Sequence, residues 1–168
     1  AHSPAVPSST EPVTITARLI DELPDEISAQ LVYRLDGEAG YLELPMSRTA
    51  AEQFVATLPP QADGQVVEFF VNATDGQGAV RAWPSAPANC PLLLYQVDNQ
   101  VPAPGRPLHR LILTELERKE LTEIGRRPWY NSSDAQMSGT FINIEGGRTR
   151  VRYNVGVRLR GTTSRATT

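Results

Sequence analysis

Residues 148–160, RTRVRYNVGVRLR, alternate polar and apolar side chains without a break, and this period of two constrains the fold more than any other stretch. A helix repeats its apolar residues three and four apart. Strict alternation instead lines them along one face of an extended strand, here roughly 40 Å long at the usual rise. Arg148, Arg150, Arg152, Asn154, Arg158 and Arg160 share one face with Gly156, while Thr149, Val151, Tyr153, Val155, Val157 and Leu159 share the other. The pattern predicts a half-buried strand carrying a ladder of five arginines. It leads directly into the small-residue turn Gly161-Thr162-Thr163-Ser164-Arg165.

The same period recurs in shorter pieces upstream. Val13, Ile15, Ala17 and Leu19 alternate with Thr14, Thr16 and Arg18. Residues 30–35 form a second segment, closed by Asp36-Gly37. Residues 41–46 are a third, which Pro45 confines to a sheet edge because proline has no N–H for a ladder. Residues 53–58 and 66–74 follow, the latter with Val67, Phe69, Val71 and Ala73 on one face. Asp75-Gly76-Gln77-Gly78 then turns the chain into residues 79–83. Short strands separated by turn signals every 8–12 residues, with no helical period, predict an antiparallel sandwich over residues 11–84. The segments "PVTITARLID", "AQLVYRLDG", "LELPM", "FVATLP" and "GQVVEFFVNATDGQG" resemble the immunoglobulin-like or fibronectin-type-III-like modules of bacterial extracellular proteins.

Residues 1–10 are rich in Pro, Ser and Ala and read as a tail or linker. They show no charged and apolar leader pattern, so any signal peptide is expected to have been removed already. Residues 85–107 contain five prolines around a short apolar run, Leu92 to Tyr95, and read as a semi-rigid linker packed across a domain junction. Residues 108–168 then open a second unit. Residues 108–113 form a strand, Thr114 and Glu117 have capping-box spacing for a helix start, and Gly125 is expected to stop that helix. Residues 139–144 and the turn Glu145-Gly146-Gly147 lead into the arginine strand. The expected architecture is therefore mainly β: an antiparallel immunoglobulin-like β-sandwich followed by a partial α+β unit of strand, helix and β-hairpin.

Charge separates the two halves. Residues 1–105 carry 4 basic and 13 acidic side chains, a net of −9, and residues 106–168 carry 12 basic and 6 acidic, a net of +6. Such asymmetry suits an anionic partner for the second half. It equally suits a solvated face, attraction between the halves, or neutralisation by further sequence. Fifteen of the sixteen basic residues are arginine, which favours bidentate carboxylate and phosphate contacts but also follows from a GC-rich genome. Cys90 is the single cysteine, which excludes an intrachain disulfide and a cysteine zinc site. No apolar run approaches the ~20 residues a membrane-spanning helix requires.

The segments "LHRLILTELE", "GTFINIEGG" and "VRYNVGVRLRGTTSR" resemble the N-terminal part of the CotH family, secreted or spore-coat-associated atypical protein kinases. The motif V-G-[VI]-R-x-R-G-x-x-S corresponds to residues 155–164. The resemblance implies that Arg160, Gly161, Ser164 and Arg165 lie near a nucleotide phosphate. It implies ATP and Mg²⁺ as cofactors of a full-length parent acting on surface or coat proteins. It also places the nucleotide-binding lysine downstream of the Ser164 turn, whereas the only lysine here, Lys119, lies upstream. This stretch is therefore expected to be non-catalytic and without a cofactor of its own. The expected role is a secreted or cell-surface accessory module, engaging a surface or coat protein or adjoining domains.

Other features carry less. His109 falls on a strand and reads as structural, and no nucleophile-elbow or nucleic-acid motif occurs. Asp21, Glu22, Asp25 and Glu26, or Asn72 with Asp75, lack EF-hand spacing for calcium. Trp83, Trp129 and Tyr130 suit either sugar stacking or packing at a junction.

Overall fold

A computed structural model describes residues 1–21, 26–85, 93–100, 106–126 and 133–159. In chain order its elements are β1 (His2–Ser3), β2 (Val13–Arg18), β3 (Ser28–Leu35), β4 (Leu42–Pro45), β5 (Ser47–Ala50), β6 (Gln53–Leu58), β7 (Val66–Thr74), β8 (Val80–Trp83), β9 (Leu93–Gln96), β10 (Leu108–Ile112), α1 (Glu115–Arg126), β11 (Met137–Glu145) and β12 (Arg148–Val157). Every strand pairing is antiparallel. Sheet 1 runs β1–β2–β6–β5. Sheet 2 runs β4–β3–β7, with β9 and β8 placed in succession along the outer edge of β7. This is the strand order of an immunoglobulin-like sandwich. Sheet 3 runs β10–β11–β12.

Alternation decides what each face meets. Val13 and Ile15 of β2 and Phe54, Ala56 and Leu58 of β6 face Leu31, Val67, Phe69 and Val71 of sheet 2, forming the sandwich core. β7 is buried on both faces over its first half, because sheet 3 covers the outside of sheet 2 there. Val66 and Leu94 on that outer face pack with Ile112 and Ile142 into a second apolar cluster, which Val151 and Ile144 extend. Helix α1 closes one end of sheet 3 through Leu113, Ile124 and Met137.

Two segments expected to be connectors are structural. In the 1–10 tail, β1 pairs with β2, His2 is only 5% exposed, and Ala5 and Val6 pack against the second cluster. Their Pro- and Ser-rich composition concealed this, since a two-residue strand has no legible period. Within the 85–107 linker, Leu93–Gln96 is strand β9. Leu93 and Tyr95 point into the sandwich core and Leu94 into the cluster under sheet 3. Residues 86–92, with Cys90, and residues 101–105 lie outside the described residues.

Two local expectations in the second unit change, and the hairpin turn at Gly146-Gly147 is found as expected. Thr114 Oγ1 does accept from the Glu117 N–H at 3.2 Å, but the reciprocal half of the box is absent among the described residues. Asp36, from the end of β3, instead caps the helix by accepting from the Glu115 N–H at 2.7 Å. Gly125 lies inside α1 rather than ending it. A Cβ there would come within 3.2 Å of Leu159 Cδ1, a tight contact that a shift of the leucine tip would relieve. The hairpin Gly146-Gly147 has φ of 56° and 75°, the doubly positive geometry of a tight turn that only glycine adopts freely.

Truncating Ile142 to alanine is predicted to lower unfolding free energy by about 2–5 kcal/mol in urea titrations, still in a single transition. Leu111→Ala, on the opposite face and 48% exposed, is predicted to change it by no more than about 0.5 kcal/mol.

Candidate anion-binding face

The face of sheet 3 turned away from the sandwich carries the arginines. Arg148, Arg150 and Arg152 pair across β11 with Glu145, Asn143 and Phe141, and Asn143 and Phe141 pair in turn with His109 and Leu111 of β10. All eight therefore share one face. The five-arginine ladder read from the sequence is shorter than the alternation implied. Phe141 pairs with Arg152 but Gly139 pairs with Val155, so β12 contains an extra residue, and Asn154 takes up the bulge at φ 51°. Beyond it the alternation restarts on the other face: Val155 and Val157 take the side of Arg152. Arg158 follows the end of the strand.

The bulge shapes a shallow cleft of about 580 Å³, floored by Leu111, Phe141 and Val155 and flanked by Arg152 and Arg158. The side chains of Arg148, Arg150, Arg152 and Arg158 are exposed and have no ion-pair partner among the described residues. By contrast, Arg110 on the inner side of sheet 3 is paired with Asp98, and Arg34 grips the buried Glu68 through two bonds of 3.1 and 3.0 Å. Arg110 and Arg34 are thus neutralised, whereas the outward row is open among the described residues.

His109 belongs to this face as a support. The Asn143 amide donates to its Nδ1 at 3.0 Å, and its ring stacks on Phe141 at 6.1 Å and 9°. His109 thus covers part of the Phe141 ring that lines the cleft. Arg160, Gly161, Ser164 and Arg165, as well as Trp129 and Tyr130, lie outside the described residues. Trp83 is half-exposed and meets Tyr153 edge-on at 6.5 Å. Asp75 uses Oδ1 to accept from the N–H groups of Gln77 and Ala79, which makes it a turn residue. Among the described residues no group of three His, Cys, Asp or Glu side chains could hold a metal ion.

The polar contact that anchors the ladder strand from behind was not legible in the sequence. Tyr153 points inward from β12, where its hydroxyl accepts from the His2 backbone N–H at 3.1 Å and donates to His2 Nδ1 at 2.6 Å. His2 Nε2–H in turn donates to the Ala5 carbonyl at 3.0 Å. Burial lowers the His2 pKa to about 4, and burial raises the Tyr153 phenol to about 12. The neutral imidazole is the form that satisfies all three bonds. Thr140 completes the junction, its hydroxyl accepting from the Leu94 N–H at 3.1 Å.

No protein-family profile and no curated protein sequence matches this chain. Among solved structures, an uncharacterized protein, lmo2446, from Listeria monocytogenes EGD-e in complex with α-D-glucose, β-D-glucose, magnesium and calcium is 12% identical. It superposes with a TM-score of 0.43 over 85% of this chain and 12% of its own. A cycloalternan-forming enzyme from Listeria monocytogenes in complex with a pentasaccharide substrate gives 12% identity and a TM-score of 0.43 over 91% of this chain and 13% of its own. The chain spans about one-eighth of the length of those proteins.

Stability should fall with acid through His2. Its folded pKa lies below the ordinary 6.5, so the unfolded chain takes up the proton first as pH drops. The contribution is complete above about pH 6.5 and is lost progressively down to about pH 4, a change of about 3 kcal/mol. Urea titrations between pH 7.5 and 4 should show this slope for the wild type and lose it in His2→Phe.

Proposed function

We propose that this chain is an accessory binding module in which an immunoglobulin-like sandwich acts as a rigid mount for a basic sheet face. The observation that carries this reading is the shared apolar interface: Val66 and Leu94 of the sandwich pack directly on Ile112 and Ile142 of sheet 3. Asp36 capping α1 and Tyr153 bonding His2 tie the same two parts at separate points. A mount of this kind fixes the direction of Arg148, Arg150 and Arg152 relative to the sandwich. A partner captured on that face is then held in a defined orientation, at little further entropic cost. In the resemblance to CotH-family proteins the setting is extracellular or at the cell surface, and the partner is a surface or coat protein.

A second reading, in which the chain is the N-terminal portion of a secreted atypical protein kinase, is favoured by one observation. The V-G-V-R-L-R-G-x-x-S motif begins at Val155 within β12 and runs on in sequence past the strand's last residue, Val157. In that setting a parent protein would use ATP and Mg²⁺, with Arg160, Gly161, Ser164 and Arg165 at the phosphates. The described residues supply no carboxylate set for Mg²⁺, so the resident chemistry would come from elsewhere in such a protein.

Small-angle scattering separates a rigid mount from two loosely linked parts. One packed body of 168 residues should give a radius of gyration of about 15–17 Å; a value above about 20 Å would overturn the reading. ATP with Mg²⁺ is expected to leave the Tm unchanged, because ligand binding to the native state alone would raise it. A saturable rise abolished by Arg160→Ala would favour the kinase reading for this chain.

A further inference from the structure

The open row on β12 has a spacing that selects its ligand. Arg148, Arg150 and Arg152 stand two residues apart on one strand face, about 6.8 Å between successive side chains. Carboxylates at alternate positions of an extended peptide repeat at the same distance. Acids on a helix recur three or four residues apart, about 5–6 Å between Cβ atoms, and come into line differently. β12 is also the last strand of sheet 3, paired with β11 alone among the described residues, so its other edge offers backbone N–H and C=O groups. The inward side of that edge presents Val151, half-buried and continuous with the apolar cluster under the sheet.

We propose that residues 148–152 are a docking edge for an extended acidic polypeptide segment, which adds as a fourth strand with alternate carboxylates over the arginines. Its intervening side chains, small and apolar, would cover Val151. The bulge at Asn154 limits the paired length to the hairpin-proximal half of β12, since the strand twists away beyond it. Main-chain pairing then supplies affinity and the arginine row supplies register and selection, as in other strand-addition complexes. Single-stranded nucleic acid fits less well. Among the described residues the rings on this face are Phe141 and His109, which already stack on each other, whereas such ligands need open rings for successive bases. This deepens the accessory-module reading by naming its partner class. The scattering measurement tests the mount and the peptide measurement tests the partner, so each can fail alone.

The probe is a fluorescein-labelled nine-residue peptide alternating glutamate and valine, titrated with the whole chain and followed by anisotropy. Saturable binding that weakens at least tenfold in Arg150→Glu and Arg152→Glu, with Tm unchanged in both, is the expected result. A peptide of the same composition with its glutamates contiguous should bind at least fivefold more weakly. N-methylation of alternate amides on the edge-facing side should abolish binding. Equal binding of the contiguous peptide, indifference to N-methylation, or tighter binding of a single-stranded oligonucleotide of equal charge would each overturn the proposal.

Discussion

The contact between the outer face of sheet 2 and the inner face of sheet 3 is the interaction on which the rest of the structure depends. Val66, Leu94, Ile112 and Ile142 have at most 3% of their surface exposed. A strand in a two-layer sandwich ordinarily buries one face and wets the other; β7 and β9 bury both because a third layer lies over them. Without that layer Val66 and Leu94 would be solvent-facing. Sheet 3, a three-stranded sheet with one short helix, would lose the apolar surface it packs against. The polar atoms at the seam are arranged accordingly. Thr140 takes the Leu94 N–H, Asp98 holds Arg110, and Tyr153 closes on His2. Thr140 and His2, both buried, would cost stability if left unpaired.

That seam gives the arginine row its direction. Alternation means that fixing Val151 and Tyr153 inward fixes Arg150 and Arg152 outward, with no choice left to the side chains. A long, exposed edge strand invites pairing with copies of itself. A row of like charges along it and a bulge partway are common protections. Of these two features the charge row disfavours a second basic edge while admitting an acidic one. The arginines can therefore keep the free chain from self-pairing and select its partner at the same time.

Much of this was legible from residue pattern. Strands β2, β3, β6, β7, β11 and β12 announce themselves by alternation, and Pro45 placed β4 at an edge. Other parts had no local signal. β5, Ser47–Ala50, is exposed throughout and carries no apolar repeat; it exists because β6 offers an edge to pair with. His2 and β9 sit in Pro-rich stretches whose composition says connector, while their burial is decided by distant partners on β12 and β7. The bulge at Asn154 is invisible in an unbroken alternation, since an extra residue changes the facing of a strand without changing its composition. Asp36 reads as a turn residue, and its capping of α1 needs a helix start 79 positions away to be folded against it. The expected phosphate residues, Arg160 to Arg165, fall outside the described residues.

Native-state hydrogen exchange tests the seam most directly. If the two parts are one cooperative body, amides in the middle of β11, such as Ile142, should exchange with the same opening free energy as those of Phe69 in β7, and both should match global unfolding. Exchange in β11 that is faster by the equivalent of about 2 kcal/mol or more, with β7 unaffected, would show sheet 3 opening on its own and would contradict the rigid mount.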